Sequence, residues 1–259
     1  MIKIGGRAVK PGKPALVGVV ADQGWEKADW NLADVLEIRL DHVWEKGLKP
    51  EIEESRAFIR GIKQKTKKPL ILTIRRPEES EAPAPGMLPD ENRLPFFEAL
   101  VPLIDAVDVE IGSPVAGKII RLAKRAKKPV IGSYHNFRRL PPDKTLYEKM
   151  GRAKNLGADI FKVAALIESP KEAIRLLAFG NLFSKSHLIC AVGMGKGSAL
   201  SRIAAPLFGS VLVYASLSVK TAPGQPDMKT LFTAVLCLNR SAKSFQRTSI
   251  KYFAALAQW

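Results

Sequence analysis

Little in this chain supports disulfide or metal chemistry. It has two cysteines and three histidines among 259 residues. Cys190 and Cys237 stand far apart, without the short spacing of metal ligands. Reduced core thiols in a cytoplasmic setting are the expectation, with no metal and no cofactor. No apolar run is long enough for a membrane span, and Met1-Ile2-Lys3 opens no secretory signal. No Pro- or Ser-rich linker divides the chain; the proline-rich stretch 82–89 falls inside a repeating unit and reads as a loop. Acidic residues are also scarce, 25 against 41 basic ones, which gives a formal charge of +16. That excess raises nucleic acid as a partner. The basic residues are spread through helix-like stretches such as Lys63 to Lys68 and Lys124 to Lys128, not gathered into an arm or an aromatic-laced patch. A solvated basic surface that attracts small anions is the more economical reading, with neither nucleic acid nor membrane as a partner.

What the chain does have is a repeat of strand and helix patterns. Residues 2–9, followed by Pro11-Gly12-Lys13-Pro14, read as a short strand or hairpin. Eight β-rich apolar runs follow at 16–21, 35–40, 70–74, 106–111, 130–134, 160–164, 188–192 and 211–215. Helix-length amphipathic segments lie between most of them, at 51–65, 94–104, 115–127, 144–156, 171–182 and 198–207, with a further one at 227–238. The connection 22–33 is the weakest crossover. Apolar runs alternating with helices predict parallel strands covered by helices. Eight such units predict one α/β domain, a (β/α)8 TIM barrel, over 1–259. A C-terminal extension, 241–259, carries Tyr252, Phe253, Leu256 and Trp259, expected to pack on the barrel or on a partner subunit.

Chemistry in such a barrel sits at the C-terminal ends of the strands. In the sixth run, alternation puts Ile160, Lys162 and Ala164 on one face and Phe161 and Val163 on the other. A lysine that ends a strand in water is the bland reading. A desolvated amine able to attack a carbonyl is the functional one. The neighbouring runs favour the second. Glu37, Arg39 and Asp41 alternate with aliphatics, as do Thr73 and Arg75, Asp108 and Glu110, and Ser133 and His135. Charges facing the inside of a barrel must pair with each other or with a ligand. His42 and His187 read as structural, because no acid–base partner is identifiable for the first and the second lies at the stability end of a strand. The loop Gly193-Met194-Gly195-Lys196-Gly197-Ser198 fails as a nucleotide-binding motif, since Cys190 stands where its first glycine is required. Arg202, one turn into the following helix, can reach a carboxylate with two parallel hydrogen bonds.

Six segments together resemble type I 3-dehydroquinate dehydratase of the shikimate pathway. They are Glu37-Ile38-Arg39-Leu40-Asp41, Thr73-Ile74-Arg75, Ser133-Tyr134-His135-Asn136-Phe137, Phe161-Lys162-Val163-Ala164, Met194-Gly195 with Ser201-Arg202, and Ala222-Pro223-Gly224-Gln225. The resemblance implies a homodimeric barrel that dehydrates 3-dehydroquinate through a lysine Schiff base without a metal. Carried over, Lys162 forms the imine and His135 is the general acid–base. Glu37, Arg39, Arg75 and Arg202 bind the substrate or hold the charged pocket, with Thr221 and Gln225 on the lid. The glutamate supporting the histidine falls at Glu79. Because Ser80-Glu81 replaces the family's two glycines, Glu78 is a rival for that role. Asn136 replaces an aspartate, Leu140 a threonine and Thr221 a serine, and Gly197 is one place early. The cationic neighbours of Lys162 are expected to help keep its amine neutral. A Schiff-base aldolase and an anion- or RNA-binding barrel are the alternative functions.

Overall fold

A computed structural model describes residues 1–80 and 87–245, without side chains for 239–245. Loop residues 82–86 and the aromatic tail from Tyr252 to Trp259 lie outside the described residues. Ten strands run in chain order: β1 (Ile2–Ile4), β2 (Arg7–Val9), β3 (Ala15–Val20), β4 (Val35–Arg39), β5 (Leu70–Thr73), β6 (Ala106–Glu110), β7 (Val130–Asn136), β8 (Ile160–Leu166), β9 (Leu188–Met194) and β10 (Leu212–Ser216). The helices are α1 (Leu40–Glu45), α2 (Ile52–Lys65), α3 (Asp90–Leu100), α4 (Ala116–Arg125), α5 (Asp143–Leu156), α6 (Pro170–Phe183), α7 (Ala199–Ala204) and α8 (Met228–Phe245).

Strands β3 to β10 form one eight-stranded sheet in the order β10-β3-β4-β5-β6-β7-β8-β9, and every ladder in it is parallel. The sheet closes at β9 and β10 through a bridge between Ile189 and Ser210. There the Val211 N–H donates to the Ile189 carbonyl at 2.8 Å. This is the predicted (β/α)8 barrel. Each barrel strand matches its expected run to within two residues at either end. The weak crossover at 22–33 is two short 3-10 turns, Trp25–Lys27 and Trp30–Leu32. The first buries Trp25, whose ring meets Trp30 edge-on.

Alternation along the strands separates two apolar layers. Val17, Val19, Val35, Ile71, Ile131, Ile160 and Ala164 fill the barrel interior, while Leu36, Ile38, Leu70, Leu72, Val107 and Val109 pack outward against the helices. The antiparallel hairpin β1–β2 turns at Gly5 and Gly6, both at positive φ. It sets Ile4 and Val9 into the interior cluster, closing the N-terminal end of the barrel. Local chemistry fixes the helix ends: Gly157, at φ 94°, caps α5, and the Ser169 side chain accepts the Glu172 N–H to start α6.

Two expectations need correction. Helix α8 extends beyond 238 to Phe245, so the first residues of the 241–259 extension continue it. Cys237, on an outer turn of that helix, is exposed, whereas Cys190 is buried. Only one thiol belongs to the core. Ile4 is fully buried at the hairpin's inner end, so Ile4→Ala should lower stability by about 2–4 kcal/mol, the cost of a core truncation. Urea unfolding measures this, and a loss below about 0.5 kcal/mol, typical of surface changes, would show that the hairpin is not a plug.

Candidate active site

Lys162, His135, Glu79, Glu37, Arg39, Arg75, Arg202, Thr221 and Gln225, but not Glu78, line one cavity of about 650 Å³ at the C-terminal mouth of the barrel. Its floor is Lys162, which is 5% exposed. Its ammonium donates to Asp108 Oδ2 at 2.8 Å and to Glu37 Oε1 at 3.5 Å. The Nζ also lies 4.1 Å from the centre of the Tyr214 ring, where the π face attracts a cation. Burial opposes the charge, but Asp108 and Glu37 outweigh it and hold the lysine above its ordinary value. The expected neutral amine is thus corrected: its nearest groups are carboxylates, and the resting lysine is an ammonium. Thr73 Oγ1 donates to the Glu37 oxygen at 2.9 Å and Ser133 Oγ to Asp108 at 2.6 Å, so both carboxylates are fixed.

Above the lysine stands His135, with its side chain 6% exposed. Burial first, then the charges of Arg75, Lys162 and Arg39, keep it well below its ordinary value of 6.5. A neutral imidazole follows. Its Nδ1 lies 3.3 Å from Glu79 Oε2 and 3.2 Å from Arg75 Nη1. These contacts require opposite tautomers, because Nδ1 donates to the carboxylate but accepts from the guanidinium. With Glu79 ionised, Nδ1 keeps the proton and Nε2 is left as the base. The His135 backbone N–H holds the same glutamate oxygen at 3.0 Å. Glu78 instead turns outward onto Arg76, its side chain 61% exposed. Geometry brings Glu79, not its rival, to the histidine.

The arginines divide into committed and uncommitted groups. Arg39 forms a two-point pair with Asp41, at 3.0 and 2.6 Å. Asp41 lies on the first turn of α1, so the strand alternation ends at Arg39. Arg75 donates to Glu110 at 2.8 Å and to Ser133 at 3.2 Å. Asp108 also lies 3.7 Å from it. Arg202 is different. It is 5% exposed, its Nη2 donates to the Pro223 carbonyl at 3.3 Å, and its Nε has no hydrogen-bond partner among the described residues. Burial lowers it to about 10, with no carboxylate nearby to oppose the effect. It remains a cation at neutral pH.

The loop after β10, residues 220–225, lines one side of the cavity. Gln225 is buried, and its Oε1 accepts from Thr221 through both the backbone N–H, at 2.8 Å, and Oγ1, at 3.2 Å. Gly224 has φ +72°, and a Cβ there would lie 2.2 Å from Ser198 Oγ and 2.4 Å from the Gly195 carbonyl. Only glycine lets the lid seat on the glycine loop. The Gly195 N–H completes the junction by donating to the Pro223 carbonyl at 3.1 Å.

Sequence reasoning assigned no role to Tyr214, although strand alternation on β10 could have placed it beside Lys162. His42 also lines the mouth, and its Nδ1 lies 3.1 Å from Glu45, a partner one helical turn away. His187 lies on the surface beside Ser186, far from the cavity mouth. Among the described residues, no helix is long and apolar enough to cross a membrane, and no group of three or more His, Cys, Asp or Glu residues could hold a metal ion.

Fold and site together define a (β/α)8-barrel enzyme built around a buried lysine. The model of the type I 3-dehydroquinase family matches residues 21–241. The 3-dehydroquinate dehydratase of Thermodesulfovibrio yellowstonii is 35% identical over 84% of this chain and 92% of its own length. That of Methanococcoides burtonii is 32% identical over 91% of this chain and 98% of its own. The crystal structure of the Geobacillus kaustophilus 3-dehydroquinate dehydratase superposes with a TM-score of 0.83 at 25% identity, covering 92% of this chain and 96% of that one. The chain belongs to the type I 3-dehydroquinase family. Its activity is that of a 3-dehydroquinate dehydratase, a lyase of the shikimate pathway. The aldolase and RNA-binding alternatives give way to that assignment.

Burial, then repulsion by Glu110, raises Glu79 from 4.5 to about 7. Below that pH its carboxyl can donate to Nδ1 and transfer the imidazole proton to Nε2, which removes the base. The acid limb of kcat/KM should therefore fall near pH 7, and Glu79→Gln should abolish that limb. Stability has the opposite sign. The unfolded carboxyl ionises near 4.5 and the folded one near 7, so the stability contribution is full below the first value and is lost as pH rises through the second. Melting curves between pH 4 and 8 check this: the wild type should lose a contribution that Glu79→Gln does not.

Proposed function

We propose that dehydration runs through an iminium on Lys162, with His135 Nε2 as the base and Arg202 as the carboxylate anchor. The observation that carries this reading is a buried lysine on the cavity floor beneath a neutral histidine. The substrate's 3-keto group condenses with Lys162. The amine's nitrogen bonds to the carbonyl carbon and the oxygen leaves as water. An ammonium plus a ketone gives an iminium plus water, so the net charge on the floor is unchanged. Nucleophilic attack still requires the transient loss of one ammonium proton, which Asp108, at 2.8 Å, is placed to accept and can return to the departing oxygen.

The iminium acidifies the adjacent C2–H, and Nε2 takes that proton to give an enamine. Collapse of the enamine expels the C1 hydroxyl, protonated by the same histidine. Water then hydrolyses the conjugated iminium and releases Lys162. Arg39 and Arg75, already engaged by Asp41 and Glu110, shape the field of the pocket. Glu37 holds a substrate hydroxyl in this reading, and its contact with the lysine supports that role. The lid through Thr221 and Gln225 excludes water from the imine. The reading extends to a second copy of the chain as partner and to the cytoplasm as setting, both from the family likeness; sedimentation of the purified chain tests the dimer.

Borohydride with 3-dehydroquinate should fix the ligand covalently to Lys162. Peptide mass mapping to any other lysine would sink the assignment. Lys162→Ala should abolish trapping and turnover together, and activity should survive exhaustive chelation. Arg202→Lys keeps the charge but loses the planar fit, and should weaken substrate binding by roughly 1.5–3 kcal/mol, the scale of a charge-assisted hydrogen bond. A structural arginine would instead lower the melting temperature and leave KM at the wild-type value. In that case the anchor would pass to Arg39 or Arg75.

A further inference from the structure

Arg93, on α3, is completely buried. It lies 2.9 Å from Glu110 Oε2 and 3.6 Å from Asp90 Oδ1. None of its nitrogens is aligned for a hydrogen bond with a described residue, so what it supplies to Glu110 is charge. The other oxygen of Glu110, Oε1, accepts from Arg75 Nη1 at 2.8 Å and from the Arg76 N–H at 3.3 Å. Arg76 leads into the Pro77–Glu79 turn, and its Nη2 lies 3.0 Å from Asp90. A Cβ on Gly112, two residues past Glu110, would lie 2.8 Å from Glu79 Oε1. Glu79 is thus pressed against the end of the strand that bears Glu110. One carboxylate stands between a buried cation on a covering helix and the acid–base pair in the cavity.

We propose that Arg93 is a positioning residue for the dehydration: its buried charge, acting through Glu110, holds the Glu79–His135 pair in the arrangement that takes the substrate's proton. The proposal rests on the reading of His135 as the base. The charged groups around Glu79 are Arg75 and Arg76 from the end of β5, Glu110 from β6 and His135 from β7, with Asp90 and Arg93 behind them on α3. Its neighbour Glu78 points to solvent. After burial, Glu110 is the largest influence keeping Glu79 protonated. Arg93 offsets that repulsion, because a cation in contact with Glu110 reduces the field it casts on Glu79. Without Arg93, Arg75 and the Arg76 N–H still hold the other oxygen of Glu110, and the carboxylate faces Glu79 with no cation on its far side. Asp90 works in the other direction, since it shares the charge of Arg93.

The test is the pH profile of kcat/KM for the wild type, Arg93→Met, Arg93→Lys and Asp90→Asn. Arg93→Met should move the acid limb up by about one pH unit and lower kcat/KM at pH 7 about five-fold, with the loss recovered near pH 9. Arg93→Lys should return the limb toward the wild-type position. Asp90→Asn should move it down, because Arg93 then acts on Glu110 alone. A purely structural arginine would lower the melting temperature and leave the limb in place, which would overturn the proposal. If Arg93→Met does not fold, Asp90→Asn decides: a limb that stays or moves up overturns the inference. A wild-type profile without the limb that Glu79→Gln removes would overturn the role of Glu79 and this proposal with it. A limb present in the wild type but fixed in both variants would overturn the role of Arg93 alone.

Discussion

The pair on which the rest of this barrel depends is Lys162 and Asp108, 2.8 Å apart and both nearly inaccessible to water. An ammonium and a carboxylate in that position each carry a desolvation penalty of several kcal/mol, about 3–5 of which reappears if one partner is removed. Their lone pairs and protons must therefore be satisfied in full, and the surrounding layer does this. Ser133 donates to Asp108, Glu37 takes a second lysine proton, and Thr73 fixes Glu37. Arg75 then bridges Asp108 and Glu110. The partners come from five neighbouring strands, β4 to β8, with Arg75 just past the end of β5, so the charge network ties the barrel's register as well as its chemistry.

The buried ions come close to balance. Arg39 answers Asp41, Lys162 and Arg75 answer Glu37, Asp108 and one side of Glu110, and Arg93 answers the other side. Asp90 is shared between Arg93 and the less buried Arg76. Arg202 remains, a buried cation whose one described hydrogen bond goes to a lid carbonyl. In the proposed reading a monoanionic substrate supplies the missing partner. The charge of Arg202 lies beside a network whose other cations have carboxylate partners, and in the same reading that leaves it for the substrate.

The barrel strands were legible because each is a short β-rich aliphatic run, most of them separated by helical stretches, and β4 to β8 carry polar residues on alternate positions. That period assigns a face before any contact is known. It fails where the strand does: at Asp41 the chain has already turned into α1, and the aspartate reaches Arg39 from a helical position. The connection 22–33 gave no helical period because it is two 3-10 turns, which bury a tryptophan instead of a stripe. Face assignment also says which charges meet but not which lie in contact. Cationic neighbours were expected around Lys162, yet the guanidiniums of Arg39 and Arg75 are bound by Asp41 and Glu110, and carboxylates contact the lysine. Arg93 could not be found at all by pattern. It stands among the charged residues of a helix whose outer face is solvated, and only its burial against Glu110 reveals that this one is inside.

A lysine held as an ammonium looks poorly suited to nucleophilic attack, and the charge balance of the proposed reaction answers the objection. The iminium that replaces the ammonium carries the same unit charge at nearly the same place, so the carboxylates that stabilise one stabilise the other. Their effect on the equilibrium between resting enzyme and iminium largely cancels; what they raise is the barrier for the moment when the nitrogen is neutral. Asp108 lowers that barrier by accepting the proton across a hydrogen bond already made. A neutral lysine in an apolar floor would attack faster, but its iminium would then be a buried charge without a partner, at the point where C2–H acidity depends on that charge. The geometry of this site therefore favours a stable cationic intermediate over a reactive resting amine. The neutral His135 above it can remove the C2 proton without a second positive charge already in place.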